Sequence, residues 1–246
     1  VEFYGRMSYM RAGLVYADII STVSETYADE IQTEEYGYGF DGIIRAGKDR
    51  LRGIINGIDY EANNPETDKR IDVNYSADNA EAKKENKRLL QERLGLEQRG
   101  VPMICMISRL ADQKGLDILA NAMERLMQND IQFVILGTGE KSYEDMFRYY
   151  ENRWKGRFCS CIMFDDTLAQ KIYASGDMFL MPSRFEPCGL GQMFSLRYGT
   201  VPVVRKTGGL ADSVEQFNEE TGMGNGFLFE TYDAEGILWA VGEALK

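Results

Sequence analysis

The sequence predicts an α/β fold with a parallel sheet covered by helices on both faces, and three observations carry that reading. From residue 101 onward, short apolar runs alternate with segments of helical period. One run, Asp177–Pro182, stops at a charged turn and gives way to a Gly-led helix start. At 246 residues and 44% hydrophobic content, the chain can also bury one or two ordinary cores. Strand–helix repetition of this kind builds parallel sheets, whose faces are closed by the crossover helices.

The first hundred residues have a different texture. Met7–Ile19 and Glu25–Thr33 read as helices, the second with Ser24 as N-cap. A Gly-rich bend is expected at Tyr36–Gly42, then a strand at Leu51–Ile58 with a turn at Asn56-Gly57. Asn63–Ile71 is polar and carries Pro65, and Ala77–Leu94 reads as a charged helix stopped by Gly95. Lys83, Lys84, Lys87, Arg88 and Arg93 on it are expected to form a solvated face. Beyond it, strands are expected at Val101–Ser108, Ile131–Gly137, Phe158–Phe164, Asp177–Pro182, Thr200–Arg205 and Gly226–Glu230. Helices are expected at Lys114–Gln128, Ser142–Arg153, Thr167–Ser175, Gly189–Tyr198, Leu210–Asn218 and Ala234–Lys246. The apolar spacing of Leu116, Leu119, Ala120, Met123 and Leu126 is that of a helix with one buried face. Phe147, Tyr149, Tyr150 and Trp154 read as packing residues.

Composition removes several chemistries. The net charge of −11 argues against a nucleic-acid partner, so phosphate recognition would rest on a few local cations. Histidine is absent, which excludes Ser-His-Asp and Cys-His mechanisms within these residues. Cys105, Cys159, Cys161 and Cys188 include no CxxC pair, and reduced, mostly buried thiols in the cytoplasm are expected. No apolar run approaches the ~20 residues of a membrane span, so no membrane partner is expected. The opening Val1–Gly5 lacks the pattern of a signal peptide, and the chain reads as a fragment beginning in mid-domain.

The candidate chemistry sits at strand ends. Arg109 closes the first strand of the α/β region and Lys114 opens the following helix, so the two could converge on a diphosphate. Glu186 lies in Ser183-Arg184-Phe185-Glu186-Pro187-Cys188-Gly189-Leu190, another strand-to-helix turn. It could accept ligand hydroxyls or act as nucleophile or base. Gly189 and Gly191 flank Leu190 and permit close backbone approach to an anion. Lys206-Thr207-Gly208-Gly209-Leu210 is a second tight phosphate-type loop, whereas the GxG at Gly137–Gly139 lacks the third glycine of a dinucleotide fingerprint.

These motifs together carry a resemblance. SRLADQKGLDIL, ILGTGE, SRFEPCGLGQ and RYGTVPVVRKTGGLADSV, with STVSETYADEI and GIINGIDYEANNPETDKRI upstream, resemble the bacterial glycogen synthase and plant starch synthase family along nearly the whole chain. The resemblance implies a GT-B fold, two Rossmann-like lobes closing over a nucleotide sugar. Residues 1–52 would end the first lobe and 53–246 would form most of the second, without its final helix. It implies retaining transfer of glucose from ADP-glucose to the non-reducing end of an α-1,4-glucan, with no metal or other cofactor. Position by position, Arg109 and Lys114 match the diphosphate-binding pair, and Glu186 matches the carboxylate holding glucose hydroxyls. Cys188, Gly189 and Leu190 match the backbone around sugar and phosphate, and the resemblance also puts Gly191 and, in the second lobe's TGGL turn, Thr207 and Gly208 at the donor. Asn56 matches an asparagine lining the glucose site between the lobes.

The departures bear on the same site. The family's KxGGL loop and cleft histidine belong to the first lobe and would precede residue 1, so Lys206 is not their equivalent. Phe194 stands where many relatives carry a second glutamate, Gly191 replaces a polar residue, and Gln170 stands where histidine is frequent. A relative using UDP-glucose or another acceptor, or a non-catalytic nucleotide-sugar or glucan-binding module, fits the same residues.

Overall fold

The computed structural model describes residues 2–3 and 5–246, so Val1 and Tyr4 of the opening stretch lie outside the described residues. A short ribbon, β1 (Glu2–Phe3) with β2 (Arg6–Met7), precedes α1 (Tyr9–Tyr16), β3 (Ile20–Thr22) and α2 (Glu25–Glu30). The Ser24 hydroxyl accepts the Tyr27 N–H at 2.7 Å, the expected cap of α2. The expected bend at Tyr36–Gly42 is instead two short helices, α3 (Glu34–Gly37) and α4 (Asp41–Ala46). Thr33 caps α3, and the left-handed Tyr38 and Gly39 compress the bend between the helices. The strand expected at Leu51–Ile58 is confined to β4 (Leu51–Gly53), which pairs in parallel with β3, a strand the sequence reading did not anticipate. Ile20, Ala28, Ile44 and Leu51 form a small core of their own here.

The rest of the chain builds one doubly wound sheet. A 3₁₀ segment at Ala77–Ala82, kinked at Asn79, leads into α5 (Lys83–Leu94), which Gly95 ends in the left-handed conformation. Then follow β5 (Met103–Ile107), α6 (Leu116–Leu126), β6 (Gln132–Leu136), α7 (Lys141–Arg153), β7 (Phe158–Cys161) and α8 (Asp166–Ser175). The chain continues through β8 (Met178–Met181), α9 (Gly191–Arg197), β9 (Val201–Arg205), α10 (Gly208–Ser213), β10 (Phe227–Phe229) and α11 (Ala234–Ala244). All six strands expected beyond residue 101 are present, each trimmed at one or both ends, and α10 stops well short of Asn218.

The strand order is β10-β9-β8-β5-β6-β7, every neighbour parallel. From β5 the chain winds outward through β6 and β7, then returns to β8 and winds the other way. The switch point therefore falls between β5 and β8, where open α/β sheets hold ligands. Alternate strand residues face opposite cores. Ile104, Met106, Phe133, Ile135 and Phe158 pack under α6, α7 and α11, with Phe147 and Tyr150 among them as expected. Tyr149 of the same group is exposed. Met103, Cys105, Val134, Leu136, Cys159 and Cys161 pack under α5 and α8.

The basic face of α5 is only partly in water. Lys83 turns inward and donates to the carbonyls of Tyr173 and Tyr198 at 3.0 Å and to Thr200 Oγ1 at 2.8 Å. Lys87 pairs with Asp177 at 2.5 Å. Both correct the expected solvated face: a lysine stem reaching the sheet's amino edge meets the free carbonyls at the carboxyl ends of α8 and α9, or a carboxylate. Burial, only partly offset by Cys105 and Asp177, lowers the Lys83 pKa from 10.5 to about 8. Between those two values the unfolded chain binds the extra proton, so the wild type gains stability as pH rises across that window. Urea unfolding of wild type and Lys83→Met should diverge there, with the gain absent in the variant. Parallel pH profiles would mean that the ammonium stays hydrated.

Candidate active site

The switch point is lined by the turns after β5, β6, β7 and β8. Two adjoining cavities of about 280 and 300 Å³ open there and share Ile107, Ser108, Arg109, Tyr173 and Phe194. Lys114, Ser183, Glu186, Gly189, Leu190 and Gly191 complete the first cavity. Thr138, Met163, Phe164, Asp165 and Gln170 are among those completing the second.

Local sequence explains why the turns fit so tightly. Gly115 ends the 3₁₀ turn Asp112–Lys114 at φ +71, and a Cβ there would lie 2.0 Å from the Pro182 carbonyl oxygen. The β5 and β8 turns are thereby pressed together, which carries Lys114 onto Glu186. Lys114 Nζ lies 2.6 Å from Glu186 Oε2, and the Ser183 hydroxyl donates to the same oxygen at 3.0 Å. Both partners are largely buried, with side-chain exposures of 16% and 9%. Arg109 is exposed at the mouth, makes no ion pair among the described residues, and donates to Gln113 Oε1 at 3.2 Å. Gln113 in turn donates to the Phe185 carbonyl at 3.2 Å, tying the cation's support to the β8 turn. Helix α9 opens at Gly191 with no side-chain cap, beside Gly189 at φ +71.

The remaining candidates stand at a distance from this centre. Cys188 is buried, and burial pushes its thiol up, while the Asn56 backbone N–H pulls the other way. That contact brings exposed Asn56 to the turn after β8 without placing it in either cavity. Thr207 and Gly208 are in neither cavity, and protein already occupies their donors. Thr207 Oγ1 and the Gly208 N–H donate to Glu30 Oε1 at 2.8 and 3.0 Å. Thr26 likewise donates to Asp212 through its N–H at 3.1 Å and its hydroxyl at 2.5 Å. Helix α2 is thus fastened to α10 at both its start and its last turn.

Two further groups emerge from the structure. Phe164 is 93% exposed at the cavity rim, and Gln170 Oε1 is buried with no partner among the described residues. Phe164 was hidden inside an expected strand. The signal that separates it is Asp165, which caps α8 by accepting the Leu168 N–H at 2.9 Å and so ends the strand before it. Phe194 packs against Tyr173 with the rings tilted at 54° and 5.8 Å between ring centres, so the position offers an apolar wall rather than a second carboxylate.

A larger cavity, about 840 Å³, lies at the opposite, amino end of the strands, and its lining includes Lys83, Lys84, Lys87, Arg88 and Arg99. Its cations are largely spoken for: Lys87 by Asp177, Arg88 by Glu85 and Arg99 by Asp130. An incoming anion would have to displace them.

Comparison with known proteins gives the chain's family and fold. The family model described as "Glycosyl transferases group 1" matches residues 91–246, and "Starch synthase catalytic domain" matches residues 1–46. A glycogen synthase of Thermosipho africanus is 56% identical over 246 residues, covering 100% of this chain and 51% of that protein. One from Thermotoga maritima is 53% identical with the same coverage. The chain spans about half the length of the curated relatives it matches. The catalytic domain of starch synthase IV from Arabidopsis thaliana, solved bound to ADP and acarbose, superposes with a TM-score of 0.90 at 36% identity. That match covers 96% of this chain and 50% of the other. Anabaena HepE, solved in complex with UDP-glucose, superposes at 0.66 with 19% identity, over 95% of this chain and 56% of the other, a likeness of fold alone. The sheet order and these matches make the fold GT-B, and the chain belongs to the group 1 glycosyl transferases, among the glycogen and starch synthases.

Proposed function

We propose that this chain is the donor-binding half of a glycogen synthase, which transfers glucose from ADP-glucose to the non-reducing end of an α-1,4-glucan with retention of configuration. Residues 1–52 are read as the end of the acceptor-side lobe, and 53–246 as the nucleotide-sugar lobe. The observation that carries this reading is the convergence of Arg109, Lys114 and Glu186 on one cavity at the switch point. The ADP held by the starch synthase neighbour supports it.

Arg109 and Lys114 would hold the diphosphate and stabilise the charge growing on the ADP leaving group as the glycosidic bond loosens. Their two charges do this without calling on a metal. Glu186 would orient glucose through its hydroxyls. Its bond to Lys114 fixes the ammonium in place before a donor arrives and ties sugar recognition to the diphosphate. This reading gives Glu186 no nucleophilic role, so the acceptor would enter on the face that the leaving group vacates. Phe164 offers a stacking surface for the base, and Gln170 Oε1 an acceptor for a base N–H.

Titration of the chain with ADP and UDP tests the reading. ADP is expected to bind more tightly, and Phe164→Ala to weaken it by about 1–3 kcal/mol, the usual worth of base–aromatic stacking. Equal affinity for the two nucleotides would favour a transferase of other donor specificity. No effect of Phe164→Ala would remove the stacking role.

A further inference from the structure

On β7, Cys159 and Cys161 are two residues apart and so point to the same face, where their sulfurs lie 3.8 Å from each other. β7 is the edge strand of the sheet, bound on one side only, by β6. Successive residues of one face lie ~6.7 Å apart along a strand, at the upper end of the Cα separation a disulfide bridges. Closing the bond therefore shortens the strand slightly, which an edge strand allows and a central one resists. Both residues keep a little exposure, 6% each, whereas Cys105 has none.

We propose that Cys159 and Cys161 form a reversible oxidation site, closed to an intrastrand disulfide by a hydroperoxide and reopened by a dithiol. In the first step the Cys161 thiolate attacks a peroxide oxygen, the O–O bond breaks, and the proton given up by the thiol leaves with the departing oxygen as water. Cys161 is then a sulfenic acid. In the second step Cys159 sulfur attacks Cys161 sulfur, the S–O bond breaks, and a second water carries away the hydroxyl and the Cys159 proton. Two thiols and one hydrogen peroxide give one disulfide and two waters.

The order follows from the environment. A hydrogen bond from Cys159 lowers the Cys161 pKa, and burial together with the Glu151 and Asp165 carboxylates only partly opposes it. Burial holds Cys105 up at about 12 and raises Cys188 too, so neither competes. The consequence reaches the cleft. The Cys161 carbonyl accepts the N–H of Gly137 at 3.1 Å and of Met163 at 2.9 Å. Both residues line the cavity that carries Phe164. Drawing Cys161 toward Cys159 shifts this rim, and the resulting effect on nucleotide affinity rests on the functional reading above.

The test treats the chain with a slight excess of hydrogen peroxide, then alkylates it under denaturing conditions and maps the thiols by mass spectrometry. Of the four free cysteines, two should resist alkylation, joined within one peptide as Cys159–Cys161, and dithiothreitol should restore them. Cys159→Ser should stop at a sulfenic acid on Cys161 that dimedone traps. Cys161→Ser should stay unmodified at the same dose. Oxidation of Cys105 or Cys188, cross-linked dimers, or all four thiols alkylated would overturn the proposal. ADP affinity is measured first on the reduced chain, where a failure of the functional reading would show. Oxidised chain should then bind ADP several-fold more weakly. An unchanged affinity with the disulfide mapped would overturn the coupling to the cleft.

Discussion

In the whole enzyme, Arg109→Ala and Lys114→Ala should each lower glucosyl transfer by about two orders of magnitude or more, the usual cost of removing one charge-stabilising donor from a transition state. The two should differ in every other respect. Arg109 is exposed and paired only with Gln113, so its loss should leave folding stability unchanged. Lys114 is bound to the largely buried Glu186, and removing it strands a carboxylate, at a cost of about 3–5 kcal/mol. Turnover and denaturant unfolding measured on both variants separate the effects. Near-normal turnover in both would dissolve the leaving-group assignment, and equal stability would deny the Lys114–Glu186 pair.

Gly208→Ala should be among the most damaging single methyl additions beside the site. Gly208 has φ +44, a conformation that costs other residues about 1–2 kcal/mol. A Cβ there would also lie 2.0 Å from the Glu186 carbonyl oxygen, a backbone atom that cannot step aside. The turn would have to open, releasing both the Gly208 N–H from Glu30 and the backbone that carries Glu186. A loss of about 3 kcal/mol in stability is expected, and with it a fall of at least tenfold in donor affinity. Gly242→Ala, in α11 with nothing near its would-be Cβ, is the control. It should be stabilising by up to about 1 kcal/mol. A Gly208→Ala chain as stable as wild type would show that the turn is not held as described.

Much of this was legible in the sequence because parallel strands buried on both faces read as continuous apolar runs. Val101–Ser108 and Ile131–Gly137 contain β5 and β6 for that reason. Arg109, Lys114 and Glu186 were legible too, since strand ends and helix starts put their side chains at one sheet edge. What escaped depends on long-range contact. β3 is three residues long and exists only because β4 pairs with it across 31 positions of chain. The inward turn of Lys83 needs the carbonyls of Tyr173 and Tyr198, which no local pattern places beneath it. Glu30 reads as an ordinary helix carboxylate until α2 is docked on α10, where it takes the donors of Thr207 and Gly208. A family resemblance assigns those two residues to the donor, and only the fold reveals the internal anion already there.

The most direct test of the donor-site assignment is a crystal structure of the chain soaked with ADP. The diphosphate should lie between Arg109 and Lys114 at the carboxyl ends of β5 and β8, with the base against Phe164. ADP seated instead among Lys83, Lys87 and Arg99, at the amino ends of the strands, would place the nucleotide site on the wrong side of the sheet and refute the assignment.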